Sequence, residues 1–232
     1  MRCLRMIKWI VFVVLVVQIQ VQALTDGNFK YTASVNTGDA TVTGYNGTPP
    51  SDLIIPSKIG GGVYTVVSIG ANAFTSRQVR GALVTVHCPG SLISIGNNAF
   101  GKCTKLKNVI LPLTLKTIGN SSFAECRSLI GVDIPNVTSI GVSAFYRCSA
   151  LSVPTLSEKL TVLNSKVFRS CTSFNTFNVS KTITSIASDT FSGCTTLANI
   201  EVDSDNPAYS SVDGLLYNKS KTTLILCPEG KA

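Results

Sequence analysis

Phe100-x-x-Cys103-x-x-Leu106 returns as Phe123-x-x-Cys126-x-x-Leu129, Phe145-x-x-Cys148-x-x-Leu151, Phe168-x-x-Cys171-x-x-Phe174 and Phe191-x-x-Cys194-x-x-Leu197. Phenylalanines and cysteines alike recur at intervals of 23, 22, 23 and 23 residues. Fixed spacing of like residues marks a solenoid in which each period is one rung. One rung of that size cannot bury its own apolar face, so rungs must stack and share a core. Equivalent side chains then lie over one another at roughly 4.8 Å, and Phe100, Phe123, Phe145, Phe168 and Phe191 become one column beside Cys103, Cys126, Cys148, Cys171 and Cys194.

Working outward from that unit, each period carries a short apolar alternation closed by proline: Leu106, Val109 and Leu111 before Pro112; Leu129, Val132 and Ile134 before Pro135; Leu83, Val86 and Cys88 before Pro89. Proline has no N–H to give a ladder, so it ends the strand. A second anchor, Ile69, Ile95, Ile118, Ile140, Leu163 or Ile186, stands five residues before each phenylalanine. Gly70, Gly96, Gly119, Gly141 and Asn164 follow it, residues that tolerate a left-handed backbone, whereas Ala187 departs from the rule. The expected fold is a β-rich repeat solenoid: a curved parallel sheet, a turn at these positions, and a short helical turn carrying Phe and Cys on the convex side.

The flanks divide the chain. Residues 1–23 open with Arg2, Arg5 and Lys8, run through apolar Ile10–Val17 and end at Val21-Gln22-Ala23, with Gln18, Gln20 and Gln22 interrupting the apolar stretch. That pattern reads as a secretory signal peptide rather than a membrane span. Residues 24–66 alternate around Phe29-Lys-Tyr31 and Ala40-Thr-Val42 with turn signals between them, as a strand-built N-terminal cap covering the edge of the first rung. The solenoid spans 67–202. Arg77 stands there in place of a cysteine, and three extra residues precede Leu83. Residues 203–232 are turn-rich, with Leu215–Tyr217 and Thr223–Leu226 placed to pair as a hairpin before Cys227-Pro228 begins a further rung.

The formal charge of +8 falls to +5 without Arg2, Arg5 and Lys8, and only 14% of residues are charged. No run of basic residues and no set of aromatic stackers points to nucleic acid. Stacked cysteine side chains point in parallel and do not converge as a disulfide needs, so the column reads as buried thiols serving as small hydrophobes. No C-x-x-C pair offers a zinc site. His87 is the lone histidine and sits at an outward strand position, with neither acid nor nucleophile placed beside it by the local pattern. Glu201, Asp203, Asp205 and Asp213 crowd one turn region without EF-hand spacing. Sequons begin at Asn46, Asn120, Asn136, Asn178 and Asn218, a number close to chance in so Ser/Thr-rich a chain.

The combination of Ile-Pro or Leu-Pro, then Ile-Gly, then Ala-Phe-x-x-Cys-x-x-Leu resembles the BspA-like leucine-rich repeats of bacterial and protist surface proteins. So does the ending Asn206-Pro207-Ala-Tyr209-Ser-Ser-Val-Asp213-Gly214-Leu-Leu-Tyr217. The resemblance covers roughly residues 50–232. It implies an exported, curved leucine-rich repeat solenoid concerned with adhesion or protein binding, and it brings no catalytic motif.

Outward strand positions are free of core duty and form the candidate binding face: Thr85 and His87, Asn108 and Ile110, Gly131 and Asp133, Val153 and Thr155, Thr176 and Asn178, Asn199 and Glu201. They include no Trp, Tyr or Arg anchor; aromatic candidates lie in the cap at Tyr31, Tyr45 and Tyr64. The expected function is a secreted or cell-surface, non-catalytic scaffold without cofactor or metal, contacting an extracellular or cell-surface protein or a glycan, with no nucleic acid and no membrane span after signal removal. Two alternatives stand beside it: a carbohydrate-active enzyme using Glu201, Asp203 and Asp205, and a structural piece of a surface coat.

Overall fold

The computed structural model describes residues 23–231. Residues 1–22, and with them nearly all of the expected signal peptide, lie outside the described residues. In chain order the elements are β1 (Leu24–Asp26), β2 (Phe29–Ala33), β3 (Asp39–Tyr45), β4 (Asp52–Ile54), β5 (Lys58–Ile59), β6 (Tyr64–Ile69), α1 (Arg77–Ala82), β7 (Thr85–His87), β8 (Ser94–Ile95), β9 (Asn108–Ile110) and β10 (Thr117–Ile118). They continue as β11 (Asp133–Ile134), β12 (Ser139–Ile140), β13 (Thr155–Leu156), β14 (Val162–Leu163), β15 (Thr176–Val179), β16 (Ser185–Ile186), β17 (Asn199–Val202), β18 (Tyr209–Val212), β19 (Leu215–Asn218) and β20 (Leu224–Leu226).

Each rung contributes two short strands, and successive rungs pair in parallel. One ladder runs β4-β7-β9 at the outward-facing positions, and the other runs β6-β8-β10-β12 at the second anchor. The cap is continuous with the second ladder: β1 and β2 form an antiparallel ribbon with β3, and β3 lies parallel to β6. Because β4 pairs in register with β7, Leu53 beside Val86, the outward ladder already begins within residues 24–66. The cap tyrosines are packing residues. Tyr31 is buried against Tyr64, and the Tyr45 ring meets Phe29 edge-on at 5.1 Å.

The phenylalanine column exists as read. Rings of Phe74, Phe100, Phe123, Phe145 and Phe168 stack with centroids 5.0, 5.3, 5.5 and 5.8 Å apart and lie within 11° of parallel. Beside it the five thiols are buried and free. Each also has a polar partner: Sγ of Cys126, Cys148, Cys171 and Cys194 donates to the carbonyl of Phe100, Phe123, Phe145 and Phe168 in the preceding rung, at 3.2, 3.1, 3.3 and 3.1 Å. A cysteine suits this place because it fills an apolar column and still gives a weak S–H donor to a second lone pair of a carbonyl that already accepts the backbone N–H of its own rung's cysteine.

Two local expectations change. The Phe–Cys segment is mostly a chain of turns, with Cys126 N–H bonding Phe123 O and Leu129 N–H bonding Cys126 O, instead of a helical turn. Only the first rung, lengthened by three residues, closes an α-helix, which Ser76 caps at Val79 N–H. The repeated glycines are also not the left-handed residues. That conformation falls on Asn98, Ser121, Ser143 and Lys166, and again on Lys102, Glu125, Arg147 and Ser170 before each cysteine. Glycine is needed for close approach: a Cβ on Gly96, Gly119 or Gly141 would come within 2.4–2.8 Å of backbone atoms in the preceding rung.

Asn164 occupies that glycine position in the next rung, and there the stacking loosens. Gly119 and Gly141 donate their N–H to Ile95 and Ile118. Asn164 instead reaches Ile140 O with its side-chain Nδ2 at 2.7 Å, and β14 pairs only with β16. In the same rung Pro154 stands where Val109, Val132 and Phe177 occupy the strand centre, and it cannot donate to a ladder. Accordingly β13 pairs with β11 and β15 with β17, while no ladder joins β13 to β15 among the described residues. The turn side holds the stack together across this seam, through Phe145 N–H to Val167 O and Arg147 N–H to Arg169 O.

Past β17 the chain folds into an antiparallel sheet, β18-β19-β20, containing the expected hairpin. Asn206 locks this sheet to the solenoid. It is fully buried; its Nδ2 donates to Ser180 O and Ile183 O, and its Oδ1 accepts from Ala208 N–H and Tyr209 N–H. Tyr209 adds a bond from Ile186 N–H to its hydroxyl at 3.0 Å.

Candidate functional site: the strand face and its seam

The twelve outward residues fall into two rows, because residues in register on parallel strands share a face. Thr85 lies beside Asn108, which bridges to Gly131; His87 lies beside Ile110; Asp133 beside Thr155; Thr176 beside Asn199; and Asn178 beside Glu201. Asn108, Ile110, Asp133, Thr155, Asn178 and Glu201 are exposed, whereas Thr85, His87, Thr176 and Asn199 are half-buried. The face is divided into β4-β7-β9, β11-β13 and β15-β17.

At its N-terminal end the face is apolar around one polar pair. His87 Nε2 lies 2.9 Å from Asp52 Oδ1, and Ile54 and Ile110 flank His87 in register. Asp52 and Ile54 escaped the sequence reading because they lie in the cap segment. The alternation Asp52-Leu53-Ile54-Ile55-Pro56, the same as in later rungs, carried the signal.

At the seam the parted strands leave a groove of about 730 Å³ lined by Val153, Pro154, Thr155, Leu156, Glu158, Thr176, Asn178, Val179, Ser180, Glu201, Val202 and Asp203. Five predicted face residues, Val153, Thr155, Thr176, Asn178 and Glu201, thus come together in one concavity with three carboxylates at its rim. The edge of β15 turned toward β13 is left without a strand partner, which makes it a template for an extended chain. Of the acids considered for catalysis, Glu201 and Asp203 line the groove and Asp205 does not. Asp203 Oδ1 is engaged locally, accepting from Asp205 N–H at 2.9 Å. Among the described residues no group of three His, Cys, Asp or Glu side chains is placed to hold a metal ion.

Burial sets the chemistry of the thiol column. It pushes Cys103 up to about 12, with nearby Arg80 opposing the rise, and Cys194 up to about 11; Cys126, Cys148 and Cys171 lie well above the usual thiol range for the same reason. These groups are inert as nucleophiles near neutral pH. A thiol whose pKa is higher folded than unfolded stabilises the fold fully below the unfolded value, near 9. That contribution is lost as pH rises from there toward 12, by up to about 1.4 kcal/mol per thiol per pH unit. Denaturation midpoints should therefore hold to about pH 9 and fall steeply above it. Iodoacetamide at pH 8 should label exposed Cys227 and spare the column until the protein is unfolded.

The repeated two-strand rung, the parallel pairing of successive rungs and the phenylalanine column define a leucine-rich repeat β-solenoid. The chain belongs to the BspA type leucine rich repeat family, whose profile matches residues 65–205 in six copies. It is similar to the pneumococcal vaccine antigen PcpA, at 25% identity and a TM-score of 0.76, over 91% of this chain and 57% of that one. It also resembles a leucine rich cell surface protein from Faecalibacterium prausnitzii, at 28% identity and 0.69 over 89% and 62% of the two chains. A third likeness is the leucine rich repeat protein of T. pallidum, at 28% and 0.62 over 77% and 81%. The chain thus spans less than two thirds of the first two structures. Among curated proteins none matches the sequence. No described helix is long and apolar enough to cross a membrane.

Proposed function

We propose that this chain is an exported or cell-surface, non-catalytic binding scaffold that takes an extended segment of an extracellular protein into the groove between β13 and β15. The observation that carries the reading is the break in the ladder: at Pro154 and Asn164 the stack opens without even the single bridge that joins β9 to the next rung at Asn108 and Gly131, and the opening falls on the face that the core does not need. Backbone groups along the free β15 edge supply affinity without demanding a sequence, and Glu158, Glu201 and Asp203 favour basic side chains at the rim. Surface character in two relatives, a vaccine antigen and a cell surface protein, supports the location.

The test is saturable binding of the purified chain to immobilised extracellular-matrix and cell-surface proteins. Asn178→Arg should fill the groove and abolish the signal, whereas Asp203→Asn with Asp205→Asn should leave binding within a fewfold. Absence of saturable binding, or indifference to Asn178→Arg, overturns the proposal. A glycoside-cleaving activity lost in the Asp203→Asn and Asp205→Asn variant would replace it with the enzymatic reading.

A further inference from the structure

Along the turn side of the solenoid, opposite to nothing in the sequence that marks it, the repeat gathers charges that are scattered in the chain. Arg77, Lys102, Arg127 and Arg147 are exposed there, with Arg80 and Arg169 half-buried beside them. Backbone bonds between rungs, Lys102 N–H to Ala124 O, Glu125 N–H to Tyr146 O and Arg147 N–H to Arg169 O, stack Lys102, Glu125 and Arg147 in the column before the cysteines, with Arg127 two residues after and Arg169 one residue before positions of that column. Arg77, Arg80, Lys102 and Thr104 line a shallow hollow of about 400 Å³ whose far wall is Glu125. Glu125 is the single acid of this ridge, held by Arg127 at 3.1 Å and by Lys102 at 4.0 Å. Arg147 lies over the Tyr146 ring at 5.0 Å, which props its guanidinium outward from the turn.

We propose that this ridge is a second binding site, for a linear polysaccharide bearing sulfate or carboxylate groups. Rungs repeat at roughly 5 Å, so the ridge presents at least one cation on each of successive rungs over about 20 Å, a length that several sugar units of one extended strand would cover. Guanidinium forks match sulfate and carboxylate oxygens in a bidentate fashion, and four of the six cations are exposed. A narrow ridge with one or two cations per rung suits one flexible chain. A nucleic acid strand would need aromatic stacking platforms, and the ridge carries only Tyr146, already covered by Arg147. The site is separate from the seam, so scaffold and polysaccharide could engage together.

Titration calorimetry with heparin oligosaccharides, polygalacturonate oligosaccharides and a single-stranded oligonucleotide of matched charge tests the site. Arg127→Ala with Arg147→Ala should weaken polysaccharide binding about tenfold or more and flatten its dependence on salt. Glu125→Gln should strengthen it severalfold, because it removes the one repelling charge and frees Arg127 and Lys102; a purely structural role for Glu125 would not give a gain. Asn178→Arg should leave it unchanged, which separates this site from the groove. Binding to heparin alone assigns sulfate, and binding to polygalacturonate assigns carboxylate; either supports the proposal. Equal affinity for the oligonucleotide, an equal loss in a Lys219→Ala and Lys221→Ala control at the far end, or no binding to either polysaccharide overturns it.

Discussion

Phe123→Ala is expected to cost about 4 kcal/mol, the range for truncating a fully buried aromatic ring in a core that cannot collapse around the loss. Phe123 is packed on both faces, by Phe100 at 5.3 Å and by Phe145 at 5.5 Å, with interplanar angles of 6° and 2°. Its removal therefore breaks two aromatic contacts, each adding roughly 0.5–1.5 kcal/mol beyond area burial. In a stacked array each rung contacts only its neighbours, so damage at the centre uncouples the rungs on either side as well as lowering their sum. The expected result in urea, followed by circular dichroism, is an earlier and broader transition than that of the intact chain. Phe191→Ala should be milder: Phe177 meets Phe191 at 4.6 Å, edge-on, and can lean into the space. A Phe123→Ala loss below about 1.5 kcal/mol, or one no larger than that of Phe191→Ala, would show that the column is not the spine of the fold.

That spine was legible in the sequence because the same residue type returns at a fixed interval, and stacking turns interval into contact. The five thiols were legible for the same reason, together with their failure to bridge, although the Sγ–carbonyl bonds to the preceding rung were not, since they depend on turn geometry. The glycines were misjudged in physical role. Their recurrence suggested left-handed turns, and only the packing shows that a Cβ at Gly141 would meet the Asn120 backbone nitrogen at 2.4 Å.

The candidate site was half legible. Outward positions followed from alternation, so Thr155, Thr176, Asn178 and Glu201 fell on the right face. What opens the groove is an exception to the period, and exceptions are quiet: Pro154 at a strand centre carries no signal of its own, and Asn164 at a glycine position reads as another residue that tolerates a left-handed backbone. The basic ridge shows the converse. Arg77, Lys102, Arg127 and Arg147 form no run along the chain, and it is the stacking of successive rungs that brings them onto one side of the solenoid. Both candidate sites thus arise from the repeat, one where it falters and the other where it holds.

Asn206→Ala should be the other severe substitution, for a reason that has nothing to do with apolar packing. The side chain serves four backbone groups, at 2.7 and 2.8 Å through Nδ2 and at 2.9 and 2.8 Å through Oδ1, with no solvent to replace it. Alanine removes all four bonds; Ser180 O keeps the Ile183 N–H, but Ile183 O and the N–H groups of Ala208 and Tyr209 lose the side-chain partner, and a buried polar group without a partner costs about 1–3 kcal/mol. A total of about 4 kcal/mol is expected, less whatever the loop recovers by opening to water. Opening to water requires the hairpin to detach from the solenoid, so hydrogen exchange should rise in β18 and β19 and in the turn at 180–183 before the phenylalanine column is affected. Asn206→Asp sharpens the test. The carboxylate keeps both acceptor bonds but sets a negative charge against the carbonyls of Ser180 and Ile183, an arrangement that favours protonation and raises its folded pKa above the unfolded value near 4. By linkage the stability of that variant is greatest below pH 4 and falls as pH rises through the raised folded value, whereas Asn206→Ala should be equally impaired at both ends of that range. If the two variants show the same loss at every pH, Asn206 is a space-filling residue and the hairpin is held by something else.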